Sequence, residues 1–184
     1  MLRWVSLLRA EPEVRQPERD AGQGRSADPA QTNGGGIDVR ELTEADVARI
    51  GDRLPLHRLG SAQTYLVAWA GSDPVGHAHV AWKETTLGVP EIGDVFVRPE
   101  LRGRGVGTEL SEAAERLAHT RGHRQISISA SIANEGALRL YRRLGYRDAG
   151  LPPQRVQGTI VVRGGPMEVD DTLLYLVKDI AELT

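Results

Sequence analysis

A mixed α+β fold with one βαβ crossover is predicted by three features of the chain. Two strand-like runs, 64–71 and 75–84, follow one another closely enough to form an antiparallel hairpin. A third run, 91–97, is joined by a glycine-rich turn to an amphipathic helical pattern that leads into another strand. The full order is β, α, a run of strands, β-turn-α, β, α and final strands, which does not match the regular alternation of a doubly wound parallel sheet.

The elements follow from local pattern. "IDVREL", Ile37 to Leu42, alternates Ile37 and Val39 with charged residues, as a half-buried strand does. Thr43 precedes "EADVARIGDRL" with Asp46 three positions on, a capping-box spacing that opens an amphipathic helix. "TYLVAWAG" and "VGHAHVAWKE" are the hairpin, with Ser72, Asp73 and Pro74 between them, and "EIGDVFV", Glu91 to Val97, is the next strand. After the glycine turn, Val106, Leu110, Ala113, Ala114 and Leu117 fall on one helical face. "QISISAS" reads as a strand. In "NEGALRLYRRLGY", Asn134 is an N-cap, Ala137, Leu140, Tyr141 and Leu144 share a face, and Gly145 stands at a C-terminal cap. "GTIVVRGG" and "TLLYLVKDI" close the chain as strands.

Composition narrows the function. The chain has 184 residues, 40% of them hydrophobic, which suits one domain with a core over 37–184. Residues 1–36 are rich in Pro, Gly, Gln, Arg and Asp, and beyond Glu11 hold almost no apolar residues, so a disordered leader is expected there. A net charge of -2 and a pI of about 6.2 give no global basic field for a nucleic acid. The lack of cysteine removes disulfides, thiolate nucleophiles and cysteine zinc sites. No apolar run reaches the roughly 18–20 residues of a membrane span. The opening stripe of Leu2, Trp4, Val5, Leu7 and Leu8 is short for anchoring, and Arg9 breaks it as a secretory signal. A cytoplasmic protein without a membrane partner is the expectation.

The stretch "VRPELRGRGVGTEL", Val97 to Leu110, carries the chemistry. A dinucleotide fingerprint needs G-x-G-x-x-G, whereas Gly103, Gly105 and Gly107 alternate and Thr108 occupies the third glycine's place. A P-loop needs a lysine after its last glycine, and the chain's lysines are Lys83 and Lys178. What remains is a turn whose backbone N–H groups converge on a phosphate at a helix N-terminus, supplemented by Arg102 and Arg104, or a basic turn that only joins strand to helix.

In its context this stretch resembles the acetyl-CoA pyrophosphate loop of the GNAT superfamily of N-acetyltransferases, [QR]-x-x-G-x-[GA], with Arg102, Gly105 and Gly107 at the fixed positions. "SIANEGALRLYRRLGY" is similar to the family's second CoA-contacting motif, matched by Asn134, Tyr141, Gly145 and Tyr146. The likeness runs from about Ile37 to Ile180. It implies a GNAT-type fold: a mostly antiparallel sheet of six or seven strands flanked by helices, with the CoA loop in the βαβ crossover. It also implies acetyl-CoA as co-substrate, no metal, and direct attack by a bound amine. Arg102, Gly103, Arg104, Gly105, Val106, Gly107 and Thr108 would hold the pyrophosphate, and the main chain of Val95, Phe96 and Val97 the pantetheine arm. Asn134 would add a CoA contact, and Tyr141 would protonate the departing thiolate.

The general base suggested by the likeness is Glu91, with Asp94 as second candidate; on a regular strand the two point to opposite faces, so both serve only if a bulge intervenes. His77 and His79 share a strand face without a convincing third metal ligand, and Trp69 and Trp82 suit cross-strand packing. In the family, substrate choice depends on segments corresponding to 43–63 and 150–172, which here hold Asp52, Glu168, Asp170 and Asp171. The acceptor is expected to be a primary amine, and a homodimer is one assembly that relatives adopt. The competing function is a catalytically silent module that binds acyl-CoA.

Overall fold

The computed structural model describes residues 36–50, 53–57, 63–162 and 164–182. The expected leader, apart from Gly36, lies outside the described residues, as does Asp52. Thr43 opens the first helix as its spacing predicts. The backbone N–H of Asp46 donates to Thr43 Oγ1 (3.3 Å), and the backbone N–H and hydroxyl of Thr43 donate to Asp46 Oδ2 (3.4 and 2.7 Å). Arg40 adds two bonds to the same carboxylate, fastening strand β1 (Asp38–Glu41) to helix α1 (Glu44–Ile50).

Strands β2 (Gln63–Ala70) and β3 (Asp73–Ala81) form the expected hairpin, but with a tighter turn. Gly71 takes φ +62°, so Gly71 and Ser72 alone make the reversal and Asp73 and Pro74 join β3. Strand β4 (Glu91–Val97), helix α2 (Val106–Thr120) and strand β5 (Gln125–Ser131) are the crossover, with β4 and β5 parallel. Helix α3 (Glu135–Arg143) is followed by the short β6 (Arg147–Asp148) and the long hairpin of β7 (Gln154–Val162) and β8 (Gly165–Asp179).

One sheet takes all eight of these strands, in the order β1-β2-β3-β4-β5-β8-β6 with β7 also on β8, and every pairing but β4 with β5 is antiparallel. This is the predicted α+β architecture. The two-residue β6 was not legible in the pattern, and β8 begins well before "TLLYLVKDI" because it partners β7 in one half and β5 in the other.

The two faces of the sheet differ in chemistry. One buries Leu66, Val80, Ile92, Ile128 and Leu176 against Val106, Leu110 and Ala114 of α2. Each fully buried leucine or isoleucine there contributes about 1.5–3 kcal/mol. The opposite face is aromatic and apolar at β2, where Tyr65, Val67 and Trp69 meet Ile50 of α1 together with Leu54 and Leu56. Further across, it is polar at β3, β4 and β5, with His77, His79, Glu91, Asp94, Ser127 and Ser129 all buried.

Close backbone approach holds β3 against β4. A Cβ at Gly76 would lie 2.7 Å from the Phe96 carbonyl oxygen and 3.3 Å from Leu110 and Val106. The neighbour is backbone and cannot swing aside. Gly76→Ala should therefore destabilise the fold by about 1–3 kcal/mol, read as a lowered midpoint in urea unfolding with an unchanged slope.

Candidate active site

β4 and β5 part company. They pair at Glu91 with Ser127 and Ile92 with Ile128, after which β5 continues alongside β8 to Ser131 while β4 leaves it. On its other edge β4 bulges: His79 pairs Gly93 and His77 pairs Phe96, so three steps along β4 span two along β3. Asp94 within this bulge takes φ +49°, a left-handed conformation that an L residue holds at a cost of about 1–3 kcal/mol.

The bulge changes which side chains meet. Glu91, Gly93 and Phe96 are opposite Ala81, His79 and His77, all on one face of β3, and the Asp94 side chain reaches His77 and Tyr65 on that same face. Glu91 and Asp94 therefore share a face, which a regular strand would forbid.

The parting opens a cleft of about 500 Å³ between β4, the glycine turn and α3. One wall is Val95, Phe96 and Val97. The floor of the turn is Gly103, Gly105, Val106, Gly107 and Thr108 together with Arg102, and the third wall is Asn134, Ala137, Leu140 and Tyr141. Gly103 and Gly105 take φ +75° and +89°, and Gly105 is the N-cap of α2, with no side chain capping the helix. The first N–H groups of this 15-residue helix thus open onto the cleft with the positive end of its dipole. Gly107 is needed for a different reason. A Cβ there would come within 3.3 Å of Leu140, closing the gap between α2 and α3.

Arg102 Nε donates to the Val97 carbonyl (3.1 Å), tying the turn to the end of β4, and its side chain is exposed at the cleft rim. Arg104 is exposed and does not line the cleft. On α3, Asn134 Oδ1 accepts from the Ala137 N–H (3.0 Å), the N-cap its position predicts. Leu138 and Tyr141 are the buried residues of α3, while Ala137 and Leu140, read from sequence as part of a core stripe, are half-buried in the cleft wall. Tyr141 is 1% exposed, and burial pushes its phenol well above the usual range, so it is held protonated as a hydrogen-bond donor. Leu101, Gly136 and Arg143 also line the cleft. For Gly136 and Arg143 the spacing from Leu140 was the available signal; Leu101 had none.

Across the sheet, on the polar face, Tyr65 donates its hydroxyl to Asp94 Oδ2 (3.2 Å), and His77 Nε2 lies 3.5 Å from the same oxygen. Ser129 Oγ donates to Glu91 Oε1 (2.8 Å) and Ser131 Oγ to Asp171 Oδ1 (2.8 Å). Burial works against charge on Asp94, but His77, and behind it His57 and His79, outweigh burial and hold the carboxyl below its usual range. The alternation in "HAH" already placed both histidines on one face. Tyr65 could not be assigned there without the β2–β3 register.

Of the acidic residues in the segments tied to substrate choice, the described ones do not share a face. Asp170 is bound by Arg155 through two 3.0 Å bonds and Glu168 by Thr159, on the face of the β7–β8 hairpin opposite to Asp171. Trp69 lies under Arg40 at 4.5 Å, and the Trp82 ring meets Arg121 at 4.1 Å and stacks with His123. Among the described residues no three histidine, aspartate or glutamate side chains group to hold a metal ion, and no helix is long and apolar enough to cross a membrane.

Comparison with known proteins agrees with this geometry. Residues 38–146, more than half of the chain, match the model of the acetyltransferase (GNAT) family. Over 60 residues the chain is 42% identical to an uncharacterized N-acetyltransferase of Methanocaldococcus jannaschii, covering 33% of this chain and 26% of that protein. Over 101 residues it is 32% identical to the streptothricin acetyltransferase of Streptomyces lavendulae, covering 53% of this chain and 51% of that one. The chain thus spans between a quarter and about half the length of these relatives. The fold is like that of Salmonella typhimurium yncA, solved with its cofactor acetyl-CoA, at a TM-score of 0.57 and 18% identity over 82% of this chain and 97% of that one. The glycine turn at the head of α2, the parted strand beside it and the matched family model lead to one conclusion: the chain belongs to the GNAT family of acetyltransferases.

Proposed function

We propose that the protein is an N-acetyltransferase that moves the acetyl group of acetyl-CoA to a primary amine by direct attack with both substrates bound. The observation that carries this reading is the coincidence, in one cleft, of the parted β4 edge, the N-terminus of α2 and the Tyr141 side chain. Acetyl-CoA supplies an activated thioester. The backbone N–H groups from Gly103 to Thr108 suit its pyrophosphate, with Arg102 at the rim. The β4 main chain from Val95 to Val97, released from β5, suits a pantetheine arm lying along it like an added strand. A backbone N–H there would also stabilise the oxyanion as the amine attacks.

Proton handling is divided between the cleft and the polar face of the sheet. Tyr141 provides a hydroxyl for the departing thiolate, and Asn134 both caps α3 and borders the cleft. On the polar face, an amine of pKa about 10.4 must lose a proton before it attacks, which at neutral pH costs roughly 4–5 kcal/mol. Asp94 and Glu91, brought to one face by the bulge, are the carboxylates that can accept that proton. A silent acyl-CoA-binding module would keep the cleft and lack turnover. Thiol release measured over a panel of primary amines separates the two, since CoA binding by calorimetry with no thiol released from any amine selects the module.

Thr108 stands in the first turn of α2, where an added carboxylate suits the helix dipole but faces the anion site. Thr108→Glu should leave the melting temperature unchanged or raised and weaken CoA binding at least tenfold in calorimetry; unaltered affinity would remove the turn from the CoA site. Tyr141→Phe should lower kcat for thiol release about tenfold or more with the KM for acetyl-CoA within about twofold. Equal kcat would return Tyr141 to a packing role.

A further inference from the structure

We infer that Tyr146 is a positioning residue for Tyr141: its ring, held from behind by Glu115 and Lys178, fixes the direction in which the Tyr141 hydroxyl enters the cleft. This rests on the acetyltransferase reading above, in which that hydroxyl meets the departing thiolate. Tyr146 takes no part in the transfer itself, in which the O–H bond of Tyr141 breaks as the S–H bond of CoA forms.

Little else holds Tyr141. Helix α3 has nine residues and buries two side chains, Leu138 and Tyr141. The N-cap bond of Asn134 fixes the helix at its far end, about two turns away. The Tyr141 hydroxyl makes no hydrogen bond to any described residue, so the direction of its O–H group depends on how the ring is packed.

Local chemistry puts Tyr146 against that ring. Gly145 follows the C-cap Leu144 with φ +91°, its N–H donates to the Arg142 carbonyl (3.1 Å), and the N–H of Tyr146 donates to the Tyr141 carbonyl (3.0 Å). These two bonds form a Schellman ending, which brings the second residue beyond the C-cap onto the residue three before it. Here those residues are Tyr146 and Tyr141, whose rings meet edge to face, 5.8 Å between centroids and 68° between planes.

Tertiary contacts hold the other side of the Tyr146 ring. Lys178 of β8 donates to Glu115 Oε2 of α2 (2.6 Å), and its ammonium lies 5.7 Å from the centre of the ring. Tyr146 is 3% exposed and Glu115 1%. Burial, and after it the neighbouring Glu115 carboxylate, push the Tyr146 phenol well above its usual range, so it remains a donor beside that carboxylate. Apolar residues of the same volume often stabilise a core as well as a buried ion pair does. What this pair adds is direction: two elements of the core, α2 and β8, bear on the ring that bears on Tyr141.

A double-mutant cycle in the full-length protein tests the inference, read with acetyl-CoA and whichever primary amine the panel selects. Tyr146→Leu removes the ring, so kcat for thiol release should fall at least about tenfold while the KM for acetyl-CoA stays within about twofold. In the Tyr141→Phe background the same substitution should change kcat by less than about twofold, because no hydroxyl is left to aim. Tyr146→Phe restores the ring and should bring kcat back to within about threefold of the wild type. Glu115→Gln keeps the shape behind the ring and removes its charge; it should lower kcat about threefold with the same dependence on Tyr141, and carries the cycle if Tyr146→Leu does not fold. A folded Tyr146→Leu with unchanged kcat overturns the inference, as does Tyr146→Phe as slow as Tyr146→Leu. So does a loss of the same factor with and without the Tyr141 hydroxyl, in either cycle, which would make Tyr146 a packing residue. Failure of the reading beneath it looks different: wild-type protein that binds no CoA, or Tyr141→Phe with the wild-type kcat, is seen before Tyr146 is changed.

Discussion

Everything about the candidate site depends on the parting of β4 from β5 after Ile92. A parallel pair in the middle of a sheet would normally satisfy the main-chain groups of both strands along their full length. Here β5 keeps β8 as its partner, and the edge of β4 from Val95 to Val97 is turned towards a cleft. A sheet can tolerate such a gap only if its neighbours hold the strands on either side. Gly76, in contact with the Phe96 carbonyl, and Arg102, bonded to the Val97 carbonyl, hold β4 from one direction, and the long β5–β8 pairing holds the other.

The same departure explains the bulge. As β4 swings away from β5 it takes an extra residue against β3, and Asp94 adopts a left-handed conformation that is unfavourable for any residue but glycine. The result is that one strand serves both sides of the sheet. Its main-chain edge faces the cleft proposed for the donor, and its side chains Glu91 and Asp94 face the polar surface proposed for the acceptor. Strain at one residue is offset by burial elsewhere, chiefly the contact of α2 with Ile92, Val80 and Leu66.

The polar face is unusual for a buried surface, and its chemistry is selective. Serines on β5 and histidines on β3 replace the aliphatic residues that fill the opposite face. Burying such groups is unfavourable unless they meet one another, and they do: Ser129 with Glu91, Ser131 with Asp171, and Tyr65 and His77 with Asp94. A network of that kind keeps the carboxylates oriented.

Much of this was legible in the chain itself. Strand-like runs marked β4 and β5 to the residue, Thr43 and Asn134 marked their helix starts because capping is local chemistry, and the spacing of Gly103, Gly105 and Gly107 excluded a dinucleotide fingerprint before any fold was known. These features depend on neighbours within a few residues, which a sequence records directly. The tertiary structure alone decided that Glu91 and Asp94 share a face, that Ala137 and Leu140 line a cleft, and that Tyr65 meets Asp94 twenty-nine positions away. Each of those rests on register between strands or on a break in it. A period of two along a strand says nothing of where the strand will bulge or which partner it will leave.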